Sequence, residues 1–210
     1  MDAQSGEFDS VEAFWSWMRE FIGFDLWKES GEISDWTLVV KCHAMIETAL
    51  NEALVRHFSE PDLGPIISKL ETSNSRTGKV AFVKALKILE PEQTVFIQKL
   101  SEARNFCVHD IRNFDFTIEK YIQHLGESEG AAFLKAVKKG IYGGVDFDAP
   151  QKELFFATIC VMATCFGHTL RCDLRDGKSE ANRLMSELFL LRNRSKPKES
   201  LDTQSPSPPA

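Results

Sequence analysis

Residues 35–58 read DWTLVVKCHAMIETALNEALVRHF. Leu38, Val39, Cys42, Met45, Ile46, Ala49, Leu50, Ala53, Leu54, His57 and Phe58 recur at steps of three and four over about six turns. A strand alternates every second residue, so this stretch predicts one long helix with a broad apolar stripe. The SEPDLGP run at residues 59–65 ends it, and Pro65 can open a short helix reaching Leu70.

The same period continues on both sides. Upstream, Val11, Phe14, Trp15, Met18, Phe21 and Ile22 make a stripe over residues 9–28, with Asp9 and Glu12 as a capping box. Residues 1–33 therefore read as a separate amphipathic helix, rich in aromatics and suited to holding a protein partner. Downstream, ETSNSRTG (71–78) is a loop before a helix carrying Phe82, Val83, Leu86 and Leu89. Pro91 suits the first turn of a helix to about Asp110. Residues 113–117 form a turn in which Asp115 can cap a helix through Leu125. A long helix from Asp148 and Pro150 to about Leu174 and a last one over 180–192 complete the set. The 16 residues from Ser195 hold four prolines and four serines with no apolar run, which predicts a disordered tail. Seven or eight helices with almost no strand signal predict an all-α multi-helix bundle over residues 34–194.

Composition narrows the function classes. The 210 residues carry 25 Lys+Arg against 31 Asp+Glu, a net charge of −6, so nucleic acid can be bound only through a local patch. The longest strongly apolar run, 154–166, has 13 residues, short of the roughly 18–20 that span a bilayer. An acidic N-terminus without an apolar signal core, and five irregularly spaced cysteines, point to reduced thiols in the cytoplasm.

HExxH, CxxC and GxGxxG are absent, and Gly177-Lys178-Ser179 lacks the first glycine of a phosphate loop, since Cys172 stands there. Cys165, His168 and Cys172 lie at i, i+3 and i+7. Three ligands on one helix rarely converge on one ion, so they read as a histidine and two small hydrophobes, and no metal or other cofactor is expected.

The segment LSEARNFCVHDIRNFD, residues 100–115, departs from plain amphipathicity. Phe96, Leu100, Ala103, Cys107 and Ile111 form its apolar face, and Arg104 falls inside that face beside Ile97 and Val108. A guanidinium there must be paired or line a cavity. Asn105 and His109 are i, i+4 neighbours, with Arg112 and Asn113 a further turn on. Arg104 and His109 are roughly 140° apart on an ideal wheel. His43 and Glu47 sit at the margin of the stripe in 35–58, which suggests a Glu47–Arg104 pair. That pair reads equally as an inter-helix salt bridge or as part of a site.

Arg104-Asn105-Phe106-Cys107-Val108-His109 resembles the Arg-polar-x-x-x-His signature of the HEPN superfamily (higher eukaryotes and prokaryotes nucleotide-binding domain). The layout of residues 35–175, with Gly78 in a loop and Ala85-Leu86-Lys87-Ile88-Leu89 after it, also resembles the mannitol operon repressor family, an HEPN-like branch. The resemblance implies an HEPN-like bundle and, for catalytic members, a metal-independent endoribonuclease acting on RNA as a homodimer, in defence or toxin–antitoxin settings. Arg104, Asn105 and His109 would then be catalytic, supported by Glu47, His43, Arg112 and Asn113. Position 111 is Ile where nucleotidyltransferase-paired members carry a modified Tyr, so that modification is not implied. The repressor branch implies instead a non-catalytic transcriptional regulator working through protein contacts.

Overall fold

A computed structural model describes residues 33–109, 113, 115–141 and 147–194, with side chains as far as residue 177. Among these residues the fold is all-α: six helices and no strand. They are α1 (Asp35–Phe58), α2 (Gly64–Ile67) after a 3-10 turn at Pro61–Leu63, α3 (Lys79–Ala85), α4 (Pro91–His109), α5 (Ile118–Lys139) and α6 (Pro150–Arg194). The helix expected over 9–28, the expected tail and Arg112 lie outside the described residues. By its contacts the chain divides into two compact units, Met1–Cys172 and Asp173–Ala210. The packing described below belongs to the first.

Helix α1 is the axis of the core. Ser34, extended at φ −65° and ψ 152°, accepts a hydrogen bond from the Thr37 N–H, and Ser59 ends the helix in the left-handed region at φ 55°. Val39, Cys42, Leu50, Ala53 and Leu54 are wholly buried, so the stripe read from sequence is the stripe that packs. Each fully buried large side chain contributes about 1.5–3 kcal/mol relative to exposure, before conformational entropy is counted. Asp35, in the first turn, ties three helices together: its Oδ2 accepts from the Ile118 N–H at 2.8 Å and from Gln151 Nε2 at 3.1 Å. The start of α5 thus gains a capping carboxylate from another helix.

Helices α1 and α4 run antiparallel. Trp36 Nε1 donates to the Cys107 carbonyl at 3.2 Å, and two turns along α1 His43 meets Ser101 at 3.1 Å. On the far side, Gln93 Nε2 of α4 donates to Thr164 Oγ1 of α6 at 2.9 Å. Phe106 faces the other way, into an aromatic group with Phe116, Tyr121 and His124.

Several helix boundaries differ from the expectations, among them the end of α2, at Ile67 rather than Leu70. Helix α3 stops at Ala85, and Lys87 takes φ 53°, so Leu86 and Leu89 pack from the connection rather than from a helix. Thr117, not Asp115, caps α5 by accepting from the Lys120 N–H; Asp115 pairs with the Lys120 ammonium. Helix α5 also continues past Leu125 to Lys139 across a kink at Gly126, whose φ of 76° only glycine adopts freely. The two helices expected after Asp148 are one, because no proline interrupts them and an isolated glycine such as Gly177 costs only about 1 kcal/mol. Within α6, Pro150–Gly177 is long and apolar enough to cross a membrane by length and composition, beyond what the 13-residue run indicated. Half of its apolar window is buried, the pattern of a core helix in a bundle.

The 71–78 loop is wound tightly enough to demand glycine at its end. Asn74 Oδ1 accepts from the N–H groups of Arg76 and Thr77, and the Lys79 and Val80 N–H groups donate back to Glu71 and Thr72. A Cβ on Gly78 would lie 2.2 Å from the Glu71 carbonyl oxygen and 2.8 Å from that of Asn74. Both obstacles are backbone. Gly78→Ala is expected to lower stability by about 1–3 kcal/mol, the usual cost of overpacking, read as a lower urea midpoint at unchanged slope.

Candidate functional site

The polar residues singled out on α1 and α4 form a strip between those helices, but their partners differ from the expected ones. The Glu47–Arg104 pair does not form. Glu47 Oε1 instead accepts from Lys79 Nζ at 2.6 Å and from Thr72 Oγ1 at 3.1 Å. The antiparallel register explains this. Trp36 stands level with Cys107 and His43 with Ser101, which puts Arg104 opposite about Val39, some seven residues from Glu47. That offset is about 11 Å along the helix axis. Lys79 is closer and more demanding: its side chain is 0% exposed, against 38% for Glu47. An ammonium out of water needs an anion, and Glu47 supplies it. The Ser68 carbonyl accepts a second, longer bond from the same Nζ.

His43 occupies the middle of the strip. Its Nε2 lies 3.1 Å from Ser101 Oγ, and that hydroxyl already donates to the Ile97 carbonyl at 2.9 Å. Ser101 has a single proton, so it accepts from His43, which assigns the imidazole its Nε2–H tautomer. This excludes a serine activated by His43, because the nitrogen facing the hydroxyl carries a proton. Burial holds the His43 pKa below its ordinary 6.5; Glu47 pulls it up, while Arg104 and Lys79 push it down. Glu47 is held below its ordinary 4.5: burial raises it, but the hydrogen bond and charge of Lys79, then Thr72 and His43, outweigh burial.

The motif residues lie on the last turns of α4. Arg104 is half-buried, and its Nη1 donates to Asn105 Oδ1 at 3.1 Å. Asn105 and His109 are exposed. Asn105 therefore holds the Arg104 guanidinium. Asn113 Nδ2 donates to the Phe106 carbonyl at 2.7 Å, a capping bond that closes the end of α4. Cys107 is buried, with its thiol pushed up to about 12 by desolvation, so it is no nucleophile at neutral pH.

No family model, curated protein or solved structure matches this chain.

The strip contains residues that the sequence reading passed over. Lys79 carries no local signal of burial, since it opens a helix after a polar loop, where lysine is ordinarily solvated. Ser101 and Thr72 are equally ordinary in sequence. His43 and Glu47, at the margin of a helical stripe, and Arg104, inside another, were the members that advertised themselves.

The unequal burial of Glu47 and Lys79 sets an order of effects. Glu47→Ala leaves the Lys79 ammonium buried without an anion and is expected to cost about 3–5 kcal/mol. Lys79→Met fills the same space and leaves Glu47 to water, with an expected cost under about 1.5 kcal/mol. Urea midpoints of the two variants check the order. Both depressed groups act in one direction on pH. Their contributions are present above the ordinary values, near 6.5 for His43 and 4.5 for Glu47, and are lost as pH falls through the lower folded values. Arg104→Ala removes a cation from His43 and is expected to raise that histidine's titration midpoint, observed by NMR of its ring protons, with little loss of stability.

Proposed function

We propose that this chain is an HEPN-like, RNA-directed protein that cleaves RNA without a metal ion, using Arg104, Asn105 and His109. The observation that carries the reading is the pairing of Glu47 with Lys79. The guanidinium of Arg104 is not consumed by that carboxylate; it is held by Asn105 on the same terminal turns that expose His109. This is an arrangement an inter-helix salt bridge would not need.

The chemistry follows from the groups. Arg104 neutralises charge as it develops on the equatorial oxygens of a phosphorane. His109, an imidazole with one nitrogen to accept and one to donate, moves a proton from the attacking 2′-hydroxyl or to the leaving oxygen. Asn105 keeps the guanidinium plane fixed. The wheel angle of roughly 140° keeps Arg104 and His109 of one chain from converging unaided. A homodimer with α4 near its two-fold axis would set the Arg104 of one copy beside the His109 of the other. The acidic chain would then present its RNA-binding charge locally at that cleft. The cytoplasm is the matching compartment, and a defence or toxin–antitoxin role the matching setting.

Purified protein incubated with mixed RNA in EDTA is expected to cleave it, and His109→Ala is expected to abolish cleavage while shifting stability by no more than about 0.5 kcal/mol. Light scattering is expected to give twice the 23.8 kDa chain mass. Cleavage by a folded His109→Ala protein at the wild-type rate sinks the mechanism. A strict monomer inert toward RNA supports the regulator of the mannitol operon repressor type.

A further inference from the structure

The C-terminal turn of α1 meets α6 at a second polar cluster, remote in sequence from the Arg104 motif. His57 Nδ1 lies 3.1 Å from His168 Nε2, and the Cys172 Sγ lies 3.4 Å from the same nitrogen. All three donor atoms fall within 4.8 Å of one another. The two imidazoles meet edge to edge through these nitrogens, with centroids 5.2 Å apart and planes 19° apart. His168 and Cys172 are i, i+4 on one face of α6, so the helix itself sets their spacing. From sequence, Cys165, His168 and Cys172 were set aside as a metal set, because three ligands on one helix rarely converge; the set found in the structure is a different one. Cys165 turns into the core, where burial pushes its thiol up to about 12, and His57 arrives from another helix.

We propose that His57, His168 and Cys172 bind a divalent d-block cation, Zn2+ in the first instance. Zinc bonds of about 2.0–2.1 Å to nitrogen and 2.3 Å to sulfur require donor separations near 3.4 Å and 3.6 Å in a tetrahedron. The separations of 3.1 Å and 3.4 Å are a few tenths of an ångström short of these, and the three donors together fall within 4.8 Å, so the widest pair closes on the ion as it binds. Two imidazoles and one thiolate are borderline-soft donors, which favour zinc, copper or nickel over magnesium or calcium. On binding, the thiol gives its proton to solvent, and the imidazole carrying the proton between the rings takes its other tautomer. As the rings swing off their head-to-head line, both nitrogen lone pairs face the ion. The last turn of α1 also presents carbonyl oxygens, whose partial negative charge favours a cation nearby. The ion would tie the end of α1 to α6 at Cys172, the last residue of the first compact unit.

The site is independent of the RNA reading, and its test reads metal binding rather than cleavage, so either can fail alone. Full-length protein, reduced and stripped by a chelator, is titrated with Zn2+ against a chromophoric chelator, and with Co2+ read by absorption. One tight equivalent is expected, with Co2+ giving intense visible bands of a tetrahedral site and a near-ultraviolet thiolate charge-transfer band. His57→Gln and Cys172→Ser are each expected to weaken Zn2+ binding more than about 100-fold, beyond the loss of an outer partner. Cys172→Ser should also remove the charge-transfer band, whereas Cys165→Ser should retain both readouts. Far-UV circular dichroism accompanies every variant. If Cys172→Ser loses its helical signal, His57→Gln, at a half-buried helix end, decides the matter. No stoichiometric binding by the wild type, or equal affinity in folded His57→Gln, overturns the proposal.

Discussion

An ammonium group entirely removed from water has to find an anion, and the Lys79–Glu47 bond organises much of what surrounds it. Lys79 opens α3 at the end of a loop closed on Gly78, while Glu47 lies midway along the central helix. Their bond of 2.6 Å therefore fastens the 71–78 loop to the axis of the core. Taking such a charge from water costs several kcal/mol, which only a well-placed carboxylate and further hydrogen bonds offset. Thr72 and the Ser68 carbonyl supply those further bonds. The loop winds as it does in order to deliver both Thr72 and Lys79 to one carboxylate.

That bond also decides what is left over. Burial is what holds the His43 imidazole toward its neutral form, against the pull of Glu47 and with the added push of Arg104 and Lys79. Arg104 is left to Asn105 at the exposed end of α4. The end of that helix is rigid, because Trp36 and Asn113 satisfy its late carbonyls and Phe106 anchors it among aromatic rings. A polar motif on a firm helix terminus suits the binding of a charged polymer better than one on a mobile loop.

The fold was largely legible in the sequence, and the wiring of the site was not. Residues 35–58 carry their own boundaries, with Ser34 before them, Pro61 after them and a stripe whose period admits only a helix. Pro91 marks the start of α4 with the same clarity. The kink at Gly126 was less visible, since a glycine there reads as a stop and only tertiary packing of Phe133 and Val137 carries the chain onward. The partner of Glu47 depends on the register between α1 and α4 and on a loop that folds back from 25 to 32 residues away. Neither is a local property. His57 and His168 stand 111 residues apart, and no spacing rule joins them. His43, Glu47 and Arg104 were legible as misfits on apolar faces; which charge would answer which was settled by distance along the helices.

The seclusion of Lys79 has a consequence for chemical reactivity. A lysine is acylated, methylated or labelled only when its nitrogen meets the reagent. Enclosed and ion-paired, this nitrogen meets no reagent while α3 stays docked on α1. Lys120 and Lys152 are ion-paired too, but their side chains are more than half exposed. Modification of Lys79 thus records the moments at which the bundle opens around α3, and the amine serves as a clock for native-state breathing.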